Sequence, residues 1–313
     1  TALGRGEMVR RLFPFLPPGP RQSGFPVAGV EPEVTPVANF YLLSKNDVDP
    51  VIVPEEWTLR IDGAVSQPRT LTYGELLALA RTDEYVTLRC VNNTVDGQLM
   101  STALWSGVSL AALLRQAGVD TTAAALMLHA PDAYDETVPL EAALSETTLL
   151  AYGMNGETLE RRHGGPVRLL VPGYFGFKNV KWIEGITVVR RVEPSYWASR
   201  GWTAGPLHSV ARIDVAQPTP GGLLAAGVAF TGTRGVRAVQ VRLDGGAWQP
   251  ATLNVPALSG MSWVQWRATL PATRGQHQIT ARVIDGAGMP QDTVARGVFP
   301  GGATGLDTVK VTL

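Results

Sequence analysis

A chain of 313 residues, 45% of them hydrophobic, can bury a large core, and at roughly 100–200 residues per domain it holds about two. With 27 basic against 27 acidic residues, no global field draws it to nucleic acid or to an acidic membrane, and a single cysteine, Cys90, excludes a disulfide framework and any multi-thiolate zinc site. No apolar run reaches the ~18 residues of a membrane-spanning helix, and 34 glycines with 23 prolines among short strand-like runs point to a β-rich chain with many turns.

Residues 1–36 carry prolines at 14, 17, 18, 20, 26, 32 and 36, which predicts an extended arm over the surface. The start at Thr-Ala rather than Met leaves room for an upstream signal or anchor. In "WTLRIDGAV" (57–65) Trp57, Leu59 and Ile61 alternate with polar residues, the period of a strand. A short helix follows, with Thr72 as N-cap and Glu75 three residues on. "YVTLRCV" (85–91) reads as a strand with Val86, Leu88 and Cys90 on one face, and "SLAALLRQAGV" as a helix capped by Ser109 and stopped by Gly118. "ALMLHA" and "VRLLVP" are buried-strand runs, so the order is α+β with a mixed sheet. Beyond a boundary near residues 203–209, about seven strand-length runs in about 105 residues, among them "VQVRLDGGAW" with its Asp-Gly-Gly turn, predict an antiparallel sandwich of immunoglobulin type.

His129, His163, His208 and His277 are isolated, and no Walker loop, dinucleotide fingerprint or G-x-S-x-G elbow occurs. Residues 161–191 set Arg161, Arg162, His163, Arg168, Lys178, Lys181, Arg190 and Arg191 against Glu184 alone, with glycines at 164, 165, 173 and 176. Such a stretch suits a phosphate or another polyanion, or it is a set of solvated strand ends joined by turns. Cys90 likewise has two readings. It is a small core hydrophobe, or, followed by Asn92, Asn93 and Asp96 rather than by more core, it is a thiolate ligand for a metal.

Taken in order, "NFY" (39–41), "WTLRIDGAV", "TLRC" (87–90), "LWSGVSLAALL" (104–114), "AYGMNGETL" (151–159), "HGGPVRLLVPGYFGFKNVKWI" (163–183) and "VQVRLDGGAW" resemble the sulfite oxidase family of molybdenum enzymes over nearly the whole chain. The resemblance implies a sulfite-oxidase-type mixed α/β molybdopterin domain over residues 37–205. It implies an immunoglobulin-like sandwich of dimerisation type over 206–313. It further implies that Cys90 is the protein ligand to molybdenum, that His163, Arg168, Asn179, Val180 and Lys181 line the pterin and its phosphate with Phe40, Tyr41 and Lys178 close by, and that Asp132 takes a polar position on the pterin.

Members that oxidise sulfite carry an arginine shortly after the cysteine, another in an F-x-R-x-H stretch and a third among the tryptophans of the sandwich. Here those places read Val91-Asn92-Asn93-Thr94-Val95, Phe40-Tyr41-Leu42-Leu43-Ser44-Lys45 and Trp263-Val264-Gln265-Trp266, and Trp202 stands where the family has a tyrosine. Charge-assisted bonds are worth about 1.5–3 kcal/mol each, so their loss disfavours a dianion in the pocket. The expectation is a molybdenum oxidoreductase that moves an oxygen atom to or from a small sulfite-like, S-oxide or N-oxide substrate. Tyr41, Asn92, Asn93 and Trp202 stand on the substrate side of that reading. It also implies a cytochrome-type or membrane electron partner and an extracytoplasmic location, since the chain has no haem motif of its own. The competing expectation is a non-catalytic partner-binding protein on the same fold.

Overall fold

The computed structural model describes Phe25, residues 27–203 and residues 205–313. The extended arm read from the prolines therefore lies, for residues 1–24 and Pro26, outside the described residues. The chain's described residues divide into two compact units: one of residues 42–84 and 104–203, the other of residues 25, 27–41, 85–103 and 205–313.

Residues 58–189 carry two sheets. In one, β1 (Thr58–Gly63), β2 (Arg69–Thr72), β5 (Ala125–His129), β6 (Asp135–Pro139) and β10 (Gly185–Val189) lie in the order β2-β1-β10-β5-β6. Only β1 and β10 run parallel, so the sheet is mixed. In the other, β3 (Thr82–Arg89), β4 (Met100–Ser109), β7 (Leu149–Met154) and β8 (Glu157–Thr158) follow in that order, with β9 (Arg168–Leu170) also paired to β7. The expected local signals are present. Leu59 and Ile61 are fully buried while Thr58 and Arg60 are exposed. Helix α1 (Tyr73–Leu77) opens on a reciprocal box in which Thr72 Oγ1 accepts from the Glu75 amide and the Glu75 carboxylate accepts from the Thr72 amide. Helix α2 (Leu110–Ala117) is capped by the Ser109 hydroxyl and ends on Gly118 at φ +65°. A third, short helix, α3 (Leu140–Ala143), follows β6. Leu59, Ile61, Leu113, Leu128, Leu169 and Ile186 belong to one apolar core between these elements.

The second unit carries β11 (Val210–Thr219), β12 (Gly222–Phe230), β16 (Val264–Leu270) and β15 (Thr252–Leu253) in one antiparallel sheet, ordered β11-β12-β16-β15. A second antiparallel sheet orders β14 (Gln249–Pro250), β13 (Val236–Leu243), β17 (Gln276–Asp285) and β18 (Thr308–Thr312) as β14-β13-β17-β18. Inward residues of both, among them Ile213, Leu223, Trp266, Val239, Val241, Ile279 and Val283, share one core. The turn after β13 places Asp244 and Gly245 at φ +51° and +72°, the left-handed pair of a β-turn closed by the Gly246 amide donating to Leu243 O at 2.8 Å.

Two details depart from the sequence reading. β3 ends at Arg89, and Val86, Thr87, Leu88 and Arg89 are all buried, so alternation does not divide core from solvent there and Cys90 stands just past the strand. Residues 85–103, read from the sequence as part of the first domain, belong to the second unit. The reason is hydrogen bonding: the Thr87 amide donates to Met261 O (3.0 Å), the Trp263 amide to Thr87 Oγ1 (2.8 Å), Ser259 Oγ to Tyr85 O (2.5 Å) and Arg212 Nη1 to Gly97 O (3.0 Å).

Candidate active site

Cys90 opens a closed loop in the second unit. Its amide donates to Leu99 O (2.9 Å) and its carbonyl accepts from the Asn93 amide (3.1 Å). Asn93, buried, locks the loop from inside: its Oδ1 accepts from the Leu99 amide at 2.7 Å, while its Nδ2 is buried without an acceptor. Gly97 is required at its place, since a Cβ there would stand 2.4 Å from Asn93 Oδ1. Asn92 is exposed and its amide donates to Cys90 Sγ at 3.4 Å.

The thiol is partly buried, and burial pushes its pKa up against the opposing pull of the Asn92 amide and the Arg89 guanidinium. The free side chain is therefore a protonated thiol at neutral pH, and a metal must displace that proton to bind. Arg89 is fully buried and pushed down to about 10 by burial. It donates to the carbonyls of His208 (3.0 Å) and Asn93 (3.4 Å), and its Nε finds no acceptor. Phe40 is buried and stacks on Tyr41 with ring centres 5.5 Å apart, and the Tyr41 amide donates to Ser101 Oγ at 3.1 Å.

The basic stretch lies in the first unit. Arg161–His163 form a short 3-10 turn, and Gly164, at φ +104°, lies so close to Lys181 that a Cβ would meet its side chain at 2.9 Å. Arg168 ties this turn to the following one: Nη1 donates to His163 O (2.8 Å), Nη2 to Asn179 O (2.9 Å), and the guanidinium sits 5.2 Å from the ring centre of Trp105. The Asn179 side chain shapes the second turn, with Oδ1 accepting from the Val171 amide (2.7 Å) and Nδ2 donating to Phe175 O (3.0 Å). Val180 is packed in the core. Lys181 lies against the Trp182 ring at 4.7 Å and donates to Arg162 O at 3.1 Å. Burial first, then Arg168, brings it down to about 8.

Other predicted residues are engaged by the protein itself. Lys178 is buried and spends its ammonium on Glu136 Oε1 (2.6 Å) and Thr137 O (2.5 Å). Asp132 accepts from Asn46 Nδ2 at 2.7 Å and pairs with Lys45 at 3.3 Å. Trp202 donates its amide to Trp197 O (3.1 Å), the two rings edge to face at 6.4 Å. The structure thus gathers Phe40, Tyr41, Cys90, Asn92 and Asn93 in one unit and Asp132, His163, Arg168, Lys178–Lys181 and Trp202 in the other.

Sequence reasoning missed Glu136, fully buried, which also accepts from Ser195 Oγ at 2.6 Å and from the Tyr134 hydroxyl at 3.1 Å. Its signal was its phase: Glu136 shares the inward side of β6 with Val138.

The family described as "Oxidoreductase molybdopterin binding domain" matches residues 46–197. An "Uncharacterized oxidoreductase YuiH" of Bacillus subtilis (strain 168) is 31% identical over 173 residues, which span 55% of this chain and 85% of that protein. Human mitochondrial sulfite oxidase is 30% identical over 317 residues, covering 84% of this chain and 58% of that protein. The crystal structure of the sulfane dehydrogenase SoxCD from Paracoccus pantotrophus superposes with a TM-score of 0.77 over 90% of this chain and 82% of that chain, at 23% identity, a likeness of fold.

Proposed function

Because the chain belongs to the sulfite oxidase family of molybdopterin-dependent oxidoreductases, we propose that it carries out two-electron oxygen-atom transfer on a small substrate less charged than sulfite. The enzyme class and the molybdopterin cofactor come with the family. The substrate side and the residue roles are the proposal.

The donor set fits an anionic pterin phosphate and a metal that brings most of its ligands with it. Cys90 supplies one exchangeable thiol, Asn93 Nδ2 is a buried donor without an acceptor, and Lys181 is a cation that burial holds at about 8. Cys90 would hold the molybdenum. His163, Arg168, Asn179, Val180 and Lys181 would hold the pterin and its phosphate, with Phe40, Tyr41, Asp132 and Lys178 flanking it. Arg168 acts by fixing the carbonyls of His163 and Asn179, so that the backbone of both turns is preset before the cofactor arrives. When bound, molybdopterin supplies two-electron redox chemistry at the metal; the protein's own part is ligation, orientation and field.

The observation that carries the substrate reading is the loop after Cys90. It presents Asn92 and the buried Asn93, with no cation between residues 91 and 99, and of the two guanidiniums that reach it Arg89 donates to the His208 and Asn93 carbonyls and Arg212 to Gly97 O and Asp214 Oδ1. Asn92, Asn93, Tyr41 and Trp202 are the proposed substrate-side groups. Electrons pass singly to a cytochrome-type partner outside the cytoplasm, and the two-sheet unit is read as an immunoglobulin-like, dimer-forming domain. Protein made in a cofactor-competent host tests this reading. Stoichiometric molybdenum, with turnover of an S-oxide or N-oxide exceeding that of sulfite using an artificial electron carrier, is the expected result; faster sulfite turnover refutes the substrate reading, and persistent absence of metal refutes the enzyme.

A further inference from the structure

The oxygen-transfer chemistry does not use the outer face of the β14-β13-β17-β18 sheet. Val239 and Val241 of β13 and Ile279, Ala281 and Val283 of β17 are buried in the core, which turns Gln240, Arg242, Thr280 and Arg282 to the opposite side. The antiparallel register sets Gln240 opposite Arg282, Arg242 opposite Thr280, and Thr280 opposite Thr308 of β18. The two arginines are thus diagonal neighbours on adjacent strands. Trp248, from the turn that follows β13, lies under both, with its ring centre 4.5 Å from Arg242 Cζ and 4.2 Å from Arg282 Cζ. Arg242, Arg282, Trp248, Thr280 and Thr308 line a cavity of about 550 Å3.

Like charges on a sheet face repel, and among the described residues neither guanidinium has a carboxylate within ion-pair distance. Arg242 Nε is buried without an acceptor. Arg282 Nε donates to Gln240 Oε1 at 2.9 Å, and burial together with Arg242 draws Arg282 below the usual arginine range. A guanidinium lying over an indole uses its face and leaves its in-plane N–H groups free. The Thr280 and Thr308 hydroxyls share one hydrogen bond of 3.1 Å, which leaves one hydroxyl hydrogen to donate. The donors that remain outnumber what a single carboxylate can accept, and they match the several oxygens of a phosphate or sulfate.

We propose that this cavity is a binding site for a tetrahedral oxyanion of phosphate or sulfate type, held by Arg242 and Arg282 over Trp248 with the Thr280–Thr308 pair as a further donor. The site is separate from the cofactor residues, so it is read in the full chain with or without molybdenum.

Isothermal titration at constant ionic strength, with chloride as background, tests it using inorganic phosphate, sulfate, glycerol phosphate and succinate. Saturable one-to-one binding of phosphate or sulfate is expected, weakened at least ~10-fold by Arg242→Gln and by Arg282→Gln. Tighter binding of glycerol phosphate than of free phosphate assigns the site to an ester end group. No saturable heat from any of the four, equal binding by both Gln variants, or preference for succinate overturns the proposal. Thermal melts establish that the variants are folded. Arg282→Lys, which keeps the charge and loses the fork, serves as the second variant and is expected to bind with intermediate affinity; binding as tight as that of the unaltered chain would remove the role of the guanidinium geometry.

Discussion

Lys178 holds its ammonium 2.6 Å from Glu136 Oε1, and both side chains are withdrawn from solvent. Ser195 Oγ and the Thr137 amide also donate to the same carboxylate oxygen, at 2.6 and 2.8 Å. Burial and the Glu136 charge together hold Tyr134 well above the usual tyrosine range, so its hydroxyl stays a donor to the Phe177 carbonyl at 2.7 Å. One cluster thereby ties β6 to the turn at 176–178 on which the proposed cofactor residues follow. Removing one partner of a buried pair strands the other charge, at a cost of about 3–5 kcal/mol. Lys178→Met is therefore expected to lower stability by that amount in urea unfolding. Lys178→Met with Glu136→Gln removes the stranded charge but keeps an acceptor for Ser195 and Thr137, and should be more stable than the single variant. The reverse order would show that the pair is not coupled through charge.

Asp307 gives the second unit a pH dependence of unusual sign. Its Oδ2 accepts from the Ile213 amide at 2.7 Å, yet burial and the nearby Asp96 outweigh that bond and raise its pKa from the ordinary aspartate value to about 6. Between about pH 4 and 6 the folded state then holds the proton that the unfolded state has lost, so this residue's contribution to stability falls as pH rises through the window. Asp307→Asn keeps an oxygen for the Ile213 amide and cannot ionise. It should raise stability at pH 7 by on the order of 2–3 kcal/mol and change it little at pH 4, as read from urea midpoints at the two pH values.

What the sequence made legible was local. Thr72 with Glu75, and Ser109 with Gly118, marked two helices because caps are short-range hydrogen bonds written in adjacent letters. Leu59 and Ile61 marked β1 because one of its faces is solvated. Alternation failed at Val86–Arg89 because both faces of that stretch are covered, and its partners are Met261 and Trp263, far along the chain. The same distance hid the affiliation of residues 85–103. Residue type also promised more side-chain chemistry than geometry delivers: Arg168 and Arg89 end on backbone carbonyls, and Lys178 on Glu136. A sequence lists donors without saying where they are spent.

The loop after Cys90 should be intolerant of one added methyl group. At Gly97 an alanine Cβ would press on Asn93 Oδ1 and on the Thr94 hydroxyl, at 2.4 and 2.9 Å, both parts of the loop itself. The bond from the Leu99 amide to Asn93 Oδ1 is the one that must yield. Gly97→Ala is expected to reduce molybdenum content by roughly 10-fold or more, as removal of supporting contacts does at other metal sites, with a thermal midpoint lowered by a few degrees. Unchanged metal content would mean that the loop can relax without moving Cys90.

Replacing the sulfur itself separates ligation from folding. Cys90 is only partly buried, and its backbone bonds to Leu99 and Asn93 do not involve the side chain, so Cys90→Ser should keep the stability of the metal-free chain within about 0.5 kcal/mol in urea unfolding. A serine hydroxyl does not give up its proton to a metal near neutral pH as readily as a thiol. Molybdenum content by elemental analysis, and turnover with it, should fall to background, while the residues proposed for the pterin remain unchanged. Because Asn92 and Asn93 lie beside the thiol without being its replacement, Asn92→Arg provides the complementary measurement: it adds one charge-assisted donor to the loop, and sulfite turnover should rise relative to a neutral S-oxide by roughly 10-fold in kcat/KM. A fall in both substrates alike would place Asn92 outside the substrate side of the site.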